Sequence, residues 1–246
     1  IAEGVLENPY VDKIIGLHVM PEHPVGEVGV RYGQMYAASD TITLTVHGKS
    51  SHGASPDEGI DAIYAAAQII VTAQSIVSRS ISPLNAVVIS FGKIYGGRVR
   101  NQIAEEVVVE GIIRTVDPQT RKKVRKEFEK ICRLTAESLG ASITLEMHKG
   151  YGSLVNDDGV TDVIYHNAQE LLGKENVVVL KQPRMGTEDY AFFAKARPAS
   201  FFHLGCAFKD RENAPLHSSR FNVNEECLEV GVKLQTLNAL RLLEEE

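Results

Sequence analysis

The tightest constraint on this chain is a hydrophobic period that switches between two and 3.6 in a closed order across residues 35–149. Thr41-Ile42-Thr43-Leu44-Thr45-Val46 alternates as a half-buried strand must. Over residues 57–77, Ile60, Ile63, Tyr64, Ala67, Ile70 and Val71 recur at helical spacing behind Pro56, a helix-start residue. Two strand patterns follow at 86–94 and 106–114, joined by Tyr95-Gly96-Gly97-Arg98-Val99-Arg100-Asn101, a loop long for a tight hairpin. Asp117-Pro118 caps and starts a second helix with the stripe Val124, Phe128, Ile131 and Cys132, which Gly140 ends, and Ile143, Leu145 and Met147 make a last strand. The order βαββαβ is that of a ferredoxin-like layer, one four-stranded sheet covered by two helices. Such a unit folds alone.

The flanks read differently. Residues 1–6 read as the end of a helix stopped by Gly4, and Asn8-Pro9 as a turn before a buried strand over 11–19. That strand carries His18, which is either a satisfied core histidine or a ligand held on a rigid element. After residue 150, Asn156-Asp157 precedes a helix closed by Gly173, and 177–180 is an apolar strand. Met185-Gly186-Thr187-Glu188-Asp189-Tyr190 puts a glycine turn before a short helix with two acids in its first turn. Residues 200–204 form another buried strand, 205–215 a long polar loop, and the final helix from Asn224 buries Leu228, Val232, Leu234, Leu237 and Leu240. Strands alternating with helices on both sides suggest one α/β domain, 1–34 with 150–246, interrupted by 35–149. In the central stretch His52 sits at the tip of a Gly- and Ser-rich loop, as a turn residue or as a group presented to a ligand.

Composition excludes several classes. A net charge of −6 over 246 residues argues against nucleic acid, which demands a concentrated positive field. The basic run Arg121-Lys122-Lys123-Val124-Arg125-Lys126 alternates with glutamates and reads as a solvated helix face. An RNA-binding βαββαβ sheet is opposed by the same acidity and by the lack of paired aromatics. Cys132, Cys206 and Cys227 are too scattered for a disulfide framework or a metal knuckle and suit a reducing cytoplasm. No stretch is long and apolar enough for a membrane helix, and no signal peptide is visible. The chain opens on Ile1 with no initiator Met, so an upstream segment is expected to be missing.

Six motifs then occur in one order: Gly16-Leu17-His18-Val19, the Ser51-His52-Gly53-Ala54 loop, Gly96-Gly97 with Asn101, Arg114-Thr115, Met185-Gly186 with Glu188-Asp189-Tyr190, and Leu216-His217 with Phe221. This order resembles the dinuclear metal-dependent amidohydrolases related to aminoacylase, hippurate hydrolase and the auxin-conjugate (IAA-amino acid) hydrolases. The resemblance implies a zinc-peptidase-like α/β catalytic domain, here truncated at its N-terminus, interrupted by an α+β ferredoxin-like lid that also makes a homodimer contact. It implies two divalent metal ions, Zn, Mn, Ni or Co, with His18 and His217 as ligands. Catalytic His52 reaches the substrate oxyanion or carboxylate, Asn101 and Arg114 grip the carboxylate of the amino-acid half, and Glu188 orders the ligand loop. The relatives' Cys-Gly-His-Asp and Glu-Glu motifs, with three further ligands and the general base, have no counterpart in the chain. The expected reaction is hydrolysis of the amide bond of an N-acyl amino acid or short peptide, with residues 1–246 alone inactive; the competing expectation is a metal-free binding or dimerisation module of the same fold. Asp57 stands where relatives often carry His, and Arg98 replaces a small residue, so substrate preference does not transfer.

Overall fold

A computed structural model describes residues 1–244. In chain order the strands are β1 (Ile14–Pro24), β2 (Val28–Val30), β3 (Gly33–Tyr36), β4 (Ala38–His47), β5 (Val87–Gly96), β6 (Glu106–Thr115), β7 (Ser142–Lys149), β8 (Leu154–Asn156), β9 (Val177–Val179) and β10 (Ala199–Ala207). The α-helices are α1 (Ala62–Ser75), α2 (Pro118–Ser138), α3 (Asp158–Leu172), α4 (Ala191–Ala196) and α5 (Glu226–Glu244). The chain divides into two compact units. Unit 1 comprises Ile1–Tyr36, Leu154–Arg184 and the residues from Glu188 on, and unit 2 comprises Ala37–Ser153 with Met185–Thr187.

Unit 2 is the βαββαβ layer: its sheet runs β5-β6-β4-β7, antiparallel throughout. Alternation sorts the strands cleanly, with Ile42, Leu44 and Val46 of β4 and Val107, Val109 and Ile113 of β6 buried against the helices. Asp117 caps α2, its carboxylate accepting from the Thr120 N–H at 2.6 Å. The start of α1 differs from the expectation. Pro56 opens only a 3-10 turn, Pro56–Glu58, and Asp61 is the N-cap, accepting from Ile63 and Tyr64. Its facing is corrected in part as well, Ile60 and Ile70 still packing against the core. Ala62, Ala65, Ala66, Ile69 and Ala73 are buried, while Ile63, Tyr64 and Val71 point outward. Alanines permit close approach of α1 to the sheet and α2, and that packing won over the bulkier stripe.

The basic run on α2 is likewise corrected. Lys122, Lys123 and Lys126 are exposed, but Arg121 and Arg125 both turn onto the wholly buried Asp40 of β4. Arg121 Nε donates to Asp40 at 2.9 Å and its Nη2 to the Ser39 carbonyl at 2.7 Å, and Arg125 bonds both Asp40 and the Met147 carbonyl. A buried carboxylate held by two guanidiniums is a fastening, not a solvated face.

Unit 1 has a four-stranded mixed sheet, β1-β10-β2-β9, and a two-stranded sheet, β3-β8. β10 is central and buried throughout, which is why residues 199–207 form a near-continuous apolar run. Its Cys206 therefore lies within a strand rather than after one. One core gathers Val28, Val30, Val160, Ile164, Ala168, Phe202, Leu204 and Leu234, and a second Met35, Tyr36, Leu154, Ala191 and Phe201. Residues 1–6 form turns rather than a helix end. The acids Glu188 and Asp189 precede α4 instead of lying in its first turn. On α5 the buried positions are Cys227, Gly231, Leu234 and Asn238, whereas Leu228, Val232 and Leu240 are exposed. The helix has rotated its second apolar stripe outward. No helix among the described residues is long and apolar enough to cross a membrane.

Candidate functional site

In unit 1, His18 stands on β1 at the rung where His203 of β10 is its register partner. Its Nδ1 lies 2.7 Å from the Val19 carbonyl oxygen, which can only accept. Nδ1 therefore carries the proton, and Nε2 is a bare lone pair. That tautomer, oriented by a backbone carbonyl, is the one a metal-binding imidazole uses.

Two of the sequence motifs meet beside it. A Cβ on Gly16 would lie 2.7 Å from the Tyr190 ring, so the glycine of Gly16-Leu17-His18 admits the aromatic of the Glu188-Asp189-Tyr190 turn. The Glu188 carboxylate takes the Tyr190 backbone N–H at 3.5 Å. Burial raises Glu188 above the ordinary carboxylate range; the Tyr190 N–H opposes this, Asp189 adds to it, and His18 pulls it down. Glu188 thus stands within electrostatic reach of His18. His217 is exposed at a turn in which the Ser218 N–H donates to the Pro215 carbonyl at 3.2 Å. Its φ of 65° makes it the one non-glycine residue with positive φ among the described residues, a conformation often kept where function demands it. Among the described residues no three or more His, Cys, Asp or Glu side chains gather as a metal-binding set. His18 fits one coordination position; the residues of this chain do not by themselves fit a complete metal centre.

Unit 2 carries a second cluster. The Ala54 N–H donates to Nδ1 of His52 at 3.1 Å, so neutral His52 bears its proton on Nε2 and offers it outward as a donor. This is the opposite tautomer to that of His18. The loop is laced to the 96–105 loop: Gly53 N–H bonds the Asn101 carbonyl at 2.8 Å, and Ile103 N–H the Ser51 carbonyl at 2.9 Å. His52 and Asn101 are therefore brought together, beside a cavity of about 430 Å³ lined by His47, Ser50, Gly97, Arg98, Gln102 and Glu106. Arg114 is not with them. It lies near the far end of β6, paired with Ser39 and Val88, and at ~3.3 Å per residue the strand sets it some ~25 Å from the Asn101 loop. Its Nη1 is buried without a partner. A guanidinium N–H left so is poised for an anion.

Comparison with known proteins bears on these features. Residues 37–138, nearly all of unit 2 before β7, match the peptidase dimerisation domain. Over both units the chain is 34% identical to the N-acetyl-L-cysteine deacetylase of Bacillus subtilis, covering 83% of this chain and 48% of that protein. It is 34% identical to an IAA-amino acid hydrolase of Arabidopsis thaliana, covering 99% of this chain and 56% of that protein. A solved dinuclear metal binding peptidase from the M20 family of Bacillus subtilis superposes with a TM-score of 0.81 at 26% identity, over 100% of this chain and 60% of that one. The chain is similar to M20 peptidases over its whole length, and residues 37–138 carry the peptidase dimerisation domain. It spans about half the length of the curated relatives it matches. Sequence reasoning missed His203, the register partner of His18, and Tyr36, Arg184 and Glu22, which gather about His203. Arg184 donates to Glu22 at 2.6 Å, and the Tyr36 hydroxyl lies 2.7 Å from His203 Nε2. Their only sequence signal was a polar residue inside an apolar strand, His203 in Phe201-Phe202-His203-Leu204.

Proposed function

We propose that the chain serves metal-dependent hydrolysis of the amide bond of N-acyl amino acids or short peptides. The observation that carries this reading is the pair of opposed tautomers, a bare Nε2 on His18 and a protonated Nε2 on His52. One suits a metal ligand and the other a hydrogen-bond donor to a developing oxyanion. Similarity to a deacetylase and to an amino-acid-conjugate hydrolase supports the substrate class.

In this reading two divalent ions of the Zn, Mn, Ni or Co class are held in part by His18 and His217. The remaining ligands and the carboxylate base come from outside residues 1–246, since no full donor set gathers among the described residues. When bound, such ions activate water and polarise the scissile carbonyl. This chain's own groups do the rest: His52 donates to the oxyanion, Asn101 beside it holds a substrate carboxylate or carbonyl group, and Glu188 steadies the turn that packs on Gly16. Arg114, some ~25 Å from Asn101 in the same chain, grips the same substrate only where a second subunit supplies one of the two. The unpaired edge of β1 and the exposed Leu228, Val232 and Leu240 of α5 support a further strand and helix covering unit 1 in the working enzyme.

Association into a homodimer through unit 2 belongs to the same proposal. The match to a dimerisation domain supports it, as does an outward apolar patch of Ile63, Tyr64 and Val71 on α1 with Ile94 and Tyr95 on β5.

The test is metal content and N-acetyl amino-acid turnover in the intact protein. His18→Ala and His217→Ala lower both together, whereas His52→Ala keeps its metal and loses ~10² to 10³ in kcat. Mixing His52→Ala with His217→Ala subunits restores activity if the donor acts across the dimer. Full metal occupancy in His217→Ala, or loss of metal in His52→Ala, reverses the two assignments. Absence of metal and turnover in the intact wild type favours the binding or dimerisation module instead.

A further inference from the structure

The backbone gives no reason for a glycine at position 16. Gly16 lies within β1 and is not among the glycines of positive φ, and a glycine inside a strand weakens it. The reason is space. A Cβ there would stand 2.7 Å from Tyr190 Cε2, 3.1 Å from its Cζ and 3.0 Å from Phe201 Cδ2. The Tyr190 ring is seated against Phe201 of β10, the register partner of Gly16, with centroids 5.0 Å apart, and its hydroxyl donates to the Ser200 carbonyl at 3.4 Å. Gly16 and His18 are two residues apart on a strand, so they open on one face roughly 7 Å from each other. Glu188 and Tyr190 are also two residues apart. With the ring over Gly16, the Glu188 carboxylate comes within electrostatic reach of His18. The Tyr190 N–H meets that carboxylate at 3.5 Å, beyond the usual range and too long a bond to fix it.

We propose that Tyr190 is a positioning residue: its ring, closed into the gap at Gly16, sets the height of the Glu188 turn on β1 and with it the placing of the Glu188 carboxylate beside the His18 imidazole. The ring touches neither substrate nor metal and acts through those two side chains. Its shape carries the effect, because the contacts to Gly16 and Phe201 are made by ring carbons while the hydroxyl's bond to Ser200 is long. A methyl added at position 16 displaces the ring, since Phe201 closes the other side of the slot and a packed interior has no slack to absorb it. A shift of about 1 Å at a reacting group costs on the order of a hundredfold in rate. That catalytic consequence rests on the hydrolase reading; the fit of ring to glycine does not.

The test is a double-mutant cycle on the intact protein, read by turnover, metal content and the His18 imidazole nitrogen signals in NMR spectra of the metal-stripped form. Gly16→Ala is expected to move the His18 signals while circular dichroism stays that of the wild type. It lowers kcat per bound metal about ten- to hundredfold and leaves KM within about twofold. Tyr190→Phe, which keeps the ring, holds kcat within about twofold and leaves the His18 signals in place. Tyr190→Leu lowers kcat as Gly16→Ala does, and the two together cost less than about twofold more, since one contact is lost only once. Damage to the fold alone would reduce the metal-loaded fraction without moving kcat per metal or the His18 signals of folded protein. Should Gly16→Ala not fold, Tyr190→Phe against Tyr190→Leu carries the same comparison. The proposal is overturned by unmoved His18 signals in Gly16→Ala, by Tyr190→Phe falling as far as Tyr190→Leu, or by losses that multiply in the double variant. A wild type without metal or turnover sinks the hydrolase reading instead, and the His18 signals across the cycle then decide the fit by themselves.

Discussion

The two helices of unit 2 cover the same sheet and share one core, yet their outer faces are opposites. α2 carries its stripe of Val124, Phe128 and Cys132 inward and a row of lysines and glutamates outward, as an amphipathic surface helix should. α1 contains no charged residue at all; its alanines face the core and its larger Ile63, Tyr64 and Val71 face out. The sheet edges beside them repeat the contrast. β7 exposes Ser142, Thr144, Glu146 and His148, the last two paired at 3.6 Å, a blunted edge. β5 exposes Val88, Ile94 and Tyr95. One side of unit 2 is polar and the other apolar. Apolar area left outside after a core is complete marks a partner surface, because nothing within the unit accounts for it.

That contrast can be broken at three depths. The largest effect is expected from Asp40→Ala, which removes the anchor of α2 and leaves two partly buried guanidiniums uncompensated. Urea unfolding should show a loss of about 3–5 kcal/mol. A loss below about 1 kcal/mol would mean that α2 is held by its apolar stripe alone. Next, Ala66→Leu enlarges a residue at the α1 contact and should cost about 1–3 kcal/mol by overpacking, although it adds apolar volume. If it stabilises the fold, α1 is not packed through its small residues as described. The smallest effect on stability, within about ±0.5 kcal/mol, belongs to a Tyr64→Lys/Val71→Lys pair, which touches only the outer face. Its signature is association: if the parent sediments as the proposed dimer, the pair should show one chain at micromolar concentration, and Lys123→Glu on α2 should leave the mass unchanged. A dimer that survives the α1 pair but fails with the α2 change would transfer the partner surface to the other helix.

Much of this was legible in advance, for identifiable reasons. In β4, β6 and α2 the side-chain period coincides with burial on one face, so Ile42, Leu44, Val109 and Phe128 announced their positions. Asp117-Pro118 announced the start of α2 because capping is a local reaction of one carboxylate with nearby N–H groups. Failures fell where a neighbour made the choice. Ile63, Tyr64 and Val71 of the α1 stripe were taken inward because size was read as burial, whereas Ala62, Ala65, Ala66 and Ala73 with Ile69 make the buried contact and Ile60 and Ile70 pack at its margin. Leu228, Val232 and Leu240 of α5 were taken inward for the same reason, while Cys227, Gly231 and Asn238 occupy the buried side. Arg121 and Arg125 were indistinguishable from the lysines between them until Asp40, some eighty positions earlier, came within reach.

For the candidate site the division is sharper. His18, His52, Asn101, Arg114, Glu188 and His217 were found by motif and order, which need no geometry. The sequence by itself determined the βαββαβ order, the Asp117 and Asp157 caps and these candidate positions, since each is read from a local period or a short motif. Only the tertiary structure decided the tautomers of His18 and His52, the separation of Arg114 from Asn101 along β6, and the rung that sets His203 beside His18 and Gly29. The reason is that a hydrogen-bond partner or a missing Cβ acts across strands that are distant in the chain, and burial makes its effect large only once those strands have met.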